Sequence, residues 1–369
     1  MPIRKLPGEG TAIMRDPSAG VGLAAAVATV LLVCCAAAQQ NSPADRIKVI
    51  PNETARRVDI SIDGKPFTSY IWPASLAKPV LYPLRAATGT IVTRGYPLEP
   101  RPGERVDHPH HAGMWFNYGN VNDFDFWNNS EAIKPEDKPK MGNVIHRAIV
   151  TAKNGSDHGE LVVDADWISG KRQLILKEHT RLVFRGGPKF RSIDRITTLQ
   201  AQGEKVVFHD DKEGLLGMRV ARALEAPSDK AEVFTDSSGR PTPVAKMDNT
   251  GVNGVYLTSD GKTGDAAWGT RGHWCILTGR VGDDPVTIAI LDHPRNPGFP
   301  TYWHARGYGL FAANPLAPNI FTNGKEPPMN LSLAPNETVT FRYRVLILSE
   351  IATADTAESE YKNFIASYR

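Results

Sequence analysis

The chain has 369 residues, 41% of them hydrophobic and 22% charged, a composition that excludes an intrinsically disordered protein and allows one large domain or two smaller ones. A net charge of +3 is too small to imply a nucleic-acid-binding face. Of three cysteines, Cys34 and Cys35 lie in the N-terminal apolar run and only Cys275 lies beyond it. The exported chain is therefore expected to have no internal disulfide, and Cys275, between Trp274 and Ile276, reads as a small buried hydrophobe.

The N-terminus carries Arg4, Lys5 and Arg15, then an uncharged run from Val21 to Ala38 that ends in Ala36-Ala37-Ala38-Gln39. This pattern predicts an export signal over residues 1–38, with an uncleaved membrane anchor as the alternative. Export would place the protein in the periplasm or at the cell surface, touching a membrane only through this segment. Residues 39–46 read as a flexible tether, and residues 47–369 as the folded domain.

From Ile47 onward the pattern is of short β-type runs divided by turn residues. Predicted strands are Arg57 to Ile62, Gly89 to Arg94, Ile145 to Lys153, Glu160 to Ile168, Gln173 to Phe184, Phe190 to Gln200 and Lys205 to Asp210. Trp274 to Gly279, Val286 to Leu291, Gly309 to Ala313 and Thr338 to Leu348 follow. Asp63-Gly64, Asn154-Gly155 and Gly186-Gly187 are hairpin signals. Val206-Val207-Phe208 and Ile288-Ala289-Ile290-Leu291 are continuous apolar runs suited to strands buried between layers. The fold class is therefore all-β: one large antiparallel two-sheet β-sandwich, with two fused sandwiches as the alternative. A short C-terminal helix is predicted near residues 354–367. The Ser-, Pro- and Gly-rich segment from Pro227 to Asp265 is expected to be a long loop over the site.

Three segments concentrate polar chemistry. The first is DHPHHAGMWFNYGNVNDFDFW, Asp107 to Trp127. Pro109 biases His108 toward extended backbone, so His108 and His110 are expected on one side and His111 on the other. Asp123, Asp125 and Trp127 alternate with Phe124 and Phe126, as on a strand with one polar face. The second is His209 to Gly214, leading to Arg219, and the third is His293 to Asn314. Imidazoles at His108, His110, His111 and His304 suit proton transfer near neutral pH or metal ligation, and Glu213 suits an acid or base. Arg219 and Arg306 suit a carboxylate or a vicinal diol through the guanidinium fork. Trp115, Trp127 and Trp303 suit stacking on a sugar ring, with Asp123 or Asp125 accepting from hydroxyls. A metal site needs a third ligand from His209, Glu213, His293 or His304, and the spacing leaves the metal open. The sequence requires no cofactor.

The motifs KPVLYPL (Lys78 to Leu84), TRGYP (Thr93 to Pro97), DHPHHAGMWF with VNDFDFW, KEGLLGMRVA (Lys212 to Ala221) and HPRNPGFPTYWHARGYGLFAANP (His293 to Pro315) resemble those of the PmoA-like family. That exported group, of uncharacterised activity, carries the label "methane oxygenase" and is common in polysaccharide-degrading bacteria. The resemblance implies a β-sandwich like those of galactose-mutarotase-type proteins and a setting among sugar-processing genes. A membrane monooxygenase subunit needs several apolar spans, and this chain has one apolar segment, so methane oxidation is the weakest reading.

The leading expectation is an exported carbohydrate-active enzyme, a glycoside hydrolase, lyase or epimerase acting on a modified sugar. His110, His111, Glu213 and His304 are its acid/base candidates. His108, Trp115, Asp123, Asp125, Trp127, Arg219, His293, Arg306 and Asn314 are the substrate-binding candidates. The alternatives are a non-catalytic cell-surface carbohydrate-binding protein and a metal-dependent oxygenase.

Overall fold

The computed structural model describes residues 45–368. The export segment and most of the tether lie outside the described residues. Two eight-stranded antiparallel sheets form the body of the fold. The first runs, in spatial order, Ile47–Asn52, Arg57–Ile62, Lys65–Ile71, Val80–Leu81, Met114–Tyr118, Gly214–Arg219, Leu310–Asn314 and Tyr302–Arg306. The second runs Val255–Thr258, Trp274–Val281, Asp284–Asp292, Thr338–Leu348, Phe190–Ala201, Leu174–Gly186, Gly159–Ser169 and Gly142–Lys153. The expected all-β, two-sheet class is what the structure has.

Alternation explains the layering. Val58, Ile60 and Ile62 of one strand, and Phe341, Tyr343, Val345 and Ile347 of another, point into one continuous core. The sheets meet there through edge-to-face aromatic pairs, Phe67 with Phe184 at 6.3 Å and Phe116 with Trp167 at 6.5 Å. Each fully buried side chain of this size contributes roughly 1.5–3 kcal/mol. The run Ile288-Ala289-Ile290-Leu291 lies on a strand apolar on both faces, because Ile288 and Ile290 enter the core while Ala289 and Leu291 pack under a helix. That helix, Ala354–Ala366, begins where the Thr353 hydroxyl accepts from the Thr356 amide, and it buries Ala357, Tyr361 and Phe364 on the outer face of the second sheet.

Some expectations need correction. Residues 89–94 make bridges, Arg85 to Ile91 and Thr93 to Val220, rather than a strand. The alternation from Asp123 to Trp127 is not a strand either. Asn122 and Asp123 take left-handed backbone (φ 51° and 65°), and Val121 pairs with Phe124 across a tight turn. Phe124 and Phe126 do enter the core, but Trp127 is buried as well. The Pro227 to Asp265 segment is more ordered than a loop, holding the hairpin Glu232–Thr235 with Pro241–Val244 and the edge strand Val255–Thr258. The Asp63-Gly64 turn is as predicted, both residues having positive φ between paired strands.

Asp194 ties the outer face of the second sheet together. Its buried carboxylate accepts from Arg344 at 2.5 and 2.8 Å, from Arg185 at 2.7 Å and from the Tyr368 hydroxyl at 2.8 Å. Asp194→Ala leaves the buried Arg344 guanidinium unpaired, so unfolding in denaturant should show a loss of about 3–5 kcal/mol. An unchanged midpoint would refute that role.

Candidate functional site

The last four strands of the first sheet, from Met114–Tyr118 to the edge strand Tyr302–Arg306, carry the chemistry on the face turned away from the core. Residues opposite one another in paired strands share a face. Trp115 pairs with Gly217, Gly217 with Ala312, and Ala312 with His304, forming one row; Arg219, Leu310 and Arg306 form the next. Gly217 is required by packing, since a Cβ there would sit 2.6 Å from the Trp115 ring and 2.8 Å from Trp127.

Above this face sits the His108 to His111 turn. The His111 amide donates to the His108 carbonyl at 2.9 Å, and His108 has φ 43°. The segment is thus a tight turn with Pro109 inside it, and it brings all three imidazoles together instead of splitting them as extended backbone would. Tyr308, His108, His111 and Trp115 form a column of near-parallel rings, spaced 5.1, 4.9 and 5.1 Å. His110 stands edge-on to His111 at 4.3 Å.

The turn is anchored by Asp107. Its carboxylate accepts from Arg94, from Arg219 Nη2 at 2.7 and 2.9 Å, and from His108 Nδ1 at 2.9 Å. Burial alone would raise this carboxyl, but the His108 hydrogen bond and the Arg219 and Arg94 charges outweigh it and hold it well below the usual carboxylate range. Arg94 also donates to the His108 and His111 carbonyls, both at 3.1 Å.

His111 is 1% exposed. Its Nε2 faces the Trp127 indole N–H at 3.2 Å and its Nδ1 faces Arg219 Nη1 at 3.3 Å. Both neighbours are donors, so a protonated ring is opposed on both sides. Burial, then His110 and Arg219, push its pKa well below 6.5. Burial and the Lys78 charge do the same to His110, to about 2. These surroundings make His111 a packed, neutral support for the turn.

His304 holds a fixed tautomer. Its Nδ1 is 3.1 Å from the Lys212 carbonyl, which can only accept, so Nδ1 carries the hydrogen and Nε2 keeps the lone pair. The Glu213 carboxylate is 3.8 Å from the same Nδ1 and accepts from Lys212 Nζ at 2.7 Å. Burial, then the Arg306 and Lys212 charges, lower the His304 pKa to about 3. Beside them, burial and the Glu213 charge raise Asp211 to about 6, although it accepts from the Glu213 amide at 2.9 Å. Gly119 makes room for both carboxylates, since a Cβ there would lie 2.9 Å from each side chain. Asn314 is buried; it donates to the Asp211 carbonyl at 2.8 Å and accepts from the Leu316 amide, which fixes the loop.

Arg219, Arg306 and Glu213 all act electrostatically on the Tyr308 hydroxyl, and His108 acts on His304. The structure therefore gathers His108, His110, His111, Glu213, Arg219, His304 and Arg306 of the sequence candidates. It separates His293, which packs at 5.4 Å from Phe364 of the C-terminal helix. Asp123 is exposed on its turn, 3.8 Å from His209. Asp125 accepts from the Trp127 and Asn128 amides and closes a turn. Trp115, Trp127 and Trp303 are fully buried beneath the site. Stacking on a ligand is closed to these tryptophans because neighbouring side chains cover them.

Arg94, Asp107, Asp211 and Tyr308 belong to the site but were not singled out in the sequence. Arg94 and Tyr308 sit inside TRGYP and HARGYG, and Asp107 and Asp211 border named candidates, so motif membership was their one signal. Among the described residues no three His, Cys, Asp or Glu side chains are arranged to hold a metal ion.

The chain belongs to DUF6807, a family of unknown function whose model matches residues 57–362. The family description names no activity, so the kinship stands at the level of an uncharacterised family without the methane-oxygenase label. A comparison with curated proteins gives no match. Among solved structures, a galactose mutarotase-like protein from Clostridium acetobutylicum is similar at 12% identity over 82% of this chain and 98% of that one, with a TM-score of 0.38. A galactose 1-epimerase from Lactobacillus acidophilus NCFM (13% identity, 82% and 98%, TM-score 0.34) and a putative aldose 1-epimerase from Escherichia coli K12 (10%, 82% and 98%, 0.33) are also similar. Likenesses this distant carry no argument about chemistry.

The buried imidazoles predict acid sensitivity. His304 has a folded pKa of about 3 against 6.5 when unfolded. Its contribution is therefore complete above pH 6.5 and is lost as pH falls toward 3. Asp211, raised to about 6, acts in the opposite sense. Between pH 7 and 4.5, His304→Gln should lose about 2 kcal/mol less stability than the parent, measured by denaturant unfolding at both pH values. Equal losses would contradict a buried neutral imidazole.

Proposed function

We propose that the protein is an exported carbohydrate-active enzyme in which His304 and Glu213, with Asp211 beside them, move protons at a bound sugar. The observation that carries this reading is the pairing of a neutral imidazole of fixed tautomer with a carboxylate 3.8 Å away, next to a carboxyl raised to about 6. Groups with pKa values driven apart suit one donor and one acceptor in the same site. Asp211 protonated below about pH 6 can give a proton, and the His304 Nε2 lone pair can take one. Arg306, His108 and Tyr308 would orient the sugar, while Asp107, Arg94, Arg219 and Asn314 hold those groups in place. Hydrolysis, elimination and epimerisation all use such a pair, so the reaction class is set by the substrate bond placed against it.

The deciding experiment follows a panel of oligosaccharides, aldoses and keto-sugars by proton NMR with purified full-length protein. Turnover is expected, falling about 10²- to 10⁴-fold in Glu213→Gln and His304→Ala with folding intact. A panel left unchanged by the parent, or turned over equally well by both variants, would defeat the proposal.

One observation favours a second reading, a non-catalytic carbohydrate-binding protein. Lys212 Nζ lies 2.7 Å from Glu213 Oε1 and neutralises the carboxylate that would otherwise assist His304. In that case sugars bind without chemical change, and Lys212→Met produces no turnover.

A further inference from the structure

Beside the proton-transfer groups, on the far side of Tyr308, the surface opens into a cleft of about 640 Å³, bounded by Arg105, Lys230, Asp265, Trp268, Arg306 and Tyr308. Its floor is electrostatically closed. Arg105 is shared between Glu225 at 2.7 Å and Glu232 at 2.8 Å, and Arg222 reaches Glu225 at 2.9 Å, so two guanidiniums meet two carboxylates. The rim is not closed. Lys230 and Arg306 face one carboxylate, Asp265, which leaves a single excess positive charge. Arg306 lies across the Trp268 ring at 5.0 Å, a contact that fixes its plane without supplying an anion. Its buried Nε has no hydrogen-bond partner among the described residues, and neither has the buried Trp268 indole N–H. These two donors lie behind the cleft wall, closed to solvent, so the polar cost at Arg306 and Trp268 is not relieved by the protein, and a ligand reaches Arg306 only at the part of its partly exposed side chain that lines the cleft.

We propose that this cleft binds a carboxylate-bearing sugar, a uronate, with the Arg306 guanidinium seating the carboxylate and Lys230 at the rim. The proposal rests on the reading of the site as a sugar site and adds the class of sugar. A carboxylate monoanion matches the single excess charge, whereas a phosphate dianion exceeds it. The planar fork of Arg306 suits a carboxylate through two parallel hydrogen bonds. The cleft volume accommodates a mono- or disaccharide. Tyr308 borders both the cleft and the Glu213 surroundings, so a ligand seated at Arg306 extends toward the proton-transfer groups. Neutralising Arg306 also removes the charge that, after burial, most lowers the His304 pKa, so a carboxylate there makes His304 a stronger base.

The test is calorimetric titration of the full-length protein with the methyl glycosides of glucuronic and galacturonic acid, the methyl ester of each, glucose and glucose 6-phosphate. At least one uronate should bind about 10-fold or more tighter than its ester and than glucose, and glucose 6-phosphate should bind more weakly than that uronate. Arg306→Met should weaken uronate binding about 10- to 100-fold, and Arg306→Lys should restore part of it. If Arg306→Met does not fold, Lys230→Met, at an exposed position, should weaken uronate binding by a smaller, salt-dependent factor of about 2 to 5. Uronate binding that is absent, equal to that of the ester, weaker than that of the phosphate, or unmoved in these variants overturns the inference. The two proposals fail separately. Neutral sugars turned over by the parent, with uronates bound no tighter than their esters, would remove the uronate assignment and keep the enzyme. Arg306-dependent uronate binding without turnover would do the reverse.

Discussion

One carboxylate holds the outer face of the first sheet together. Arg94 and Arg219 are almost completely buried and both point at Asp107. Two buried guanidiniums without a counter-ion would repel each other and carry a desolvation penalty of several kcal/mol each. Asp107 relieves both, and in doing so it joins segments far apart in sequence, since Arg219 lies 112 residues beyond it. The His108 to His111 turn is a direct product of this node, because Arg94 Nη2 donates to the His108 and His111 carbonyls. The ring column from Tyr308 down to Trp115 then follows from where the turn places the imidazoles.

The layout of the second sheet was largely legible in the sequence, and much of the first was not, for a physical reason. Arg57–Ile62 in the first sheet and Gly159–Ser169 in the second have one face in the core and one facing outward, so their side chains alternate and the pattern can be read. Met114–Tyr118 and Gly214–Arg219 are buried at every position, because the site and its covering loops lie on one face and the core on the other. With both faces covered there is no alternation to detect. The strands that build the site were visible only as dense motifs.

Motif density did not separate chemistry from architecture. In the stretch from His293 to Pro300, Asn296 donates to Asp292 and to the Arg342 carbonyl and accepts from the Arg342 amide, and Asp292 also accepts from the Thr301 amide. That run of polar residues fastens a loop to the second sheet, and its histidine packs on the C-terminal helix. A few residues later His304 shares a row with Trp115 because of strand register, which local spacing does not reveal. The same cause explains the partner of Glu213. Of the histidines that the sequence offers as acid/base candidates, His110, His111 and His304, the register of Tyr302–Arg306 puts His304 beside Glu213.

The charge pattern links these parts. His110, His111 and His304 lie among Arg94, Arg219, Arg306, Lys78 and Lys212, and each is held neutral by burial and by those cations. A neutral imidazole accepts at one nitrogen and carries no charge to repel the surrounding cations, so the cationic network favours rings that stay unprotonated. At His304 this has a functional edge. Burial first, and the Arg306 charge second, suppress the basicity of this ring. An anion laid against Arg306 cancels that charge without touching the imidazole. On the proposed reading, ligand charge rather than movement of the backbone would ready His304, and the spacing of Arg306 and His304 that such a device needs is set by their places on one strand paired to the next.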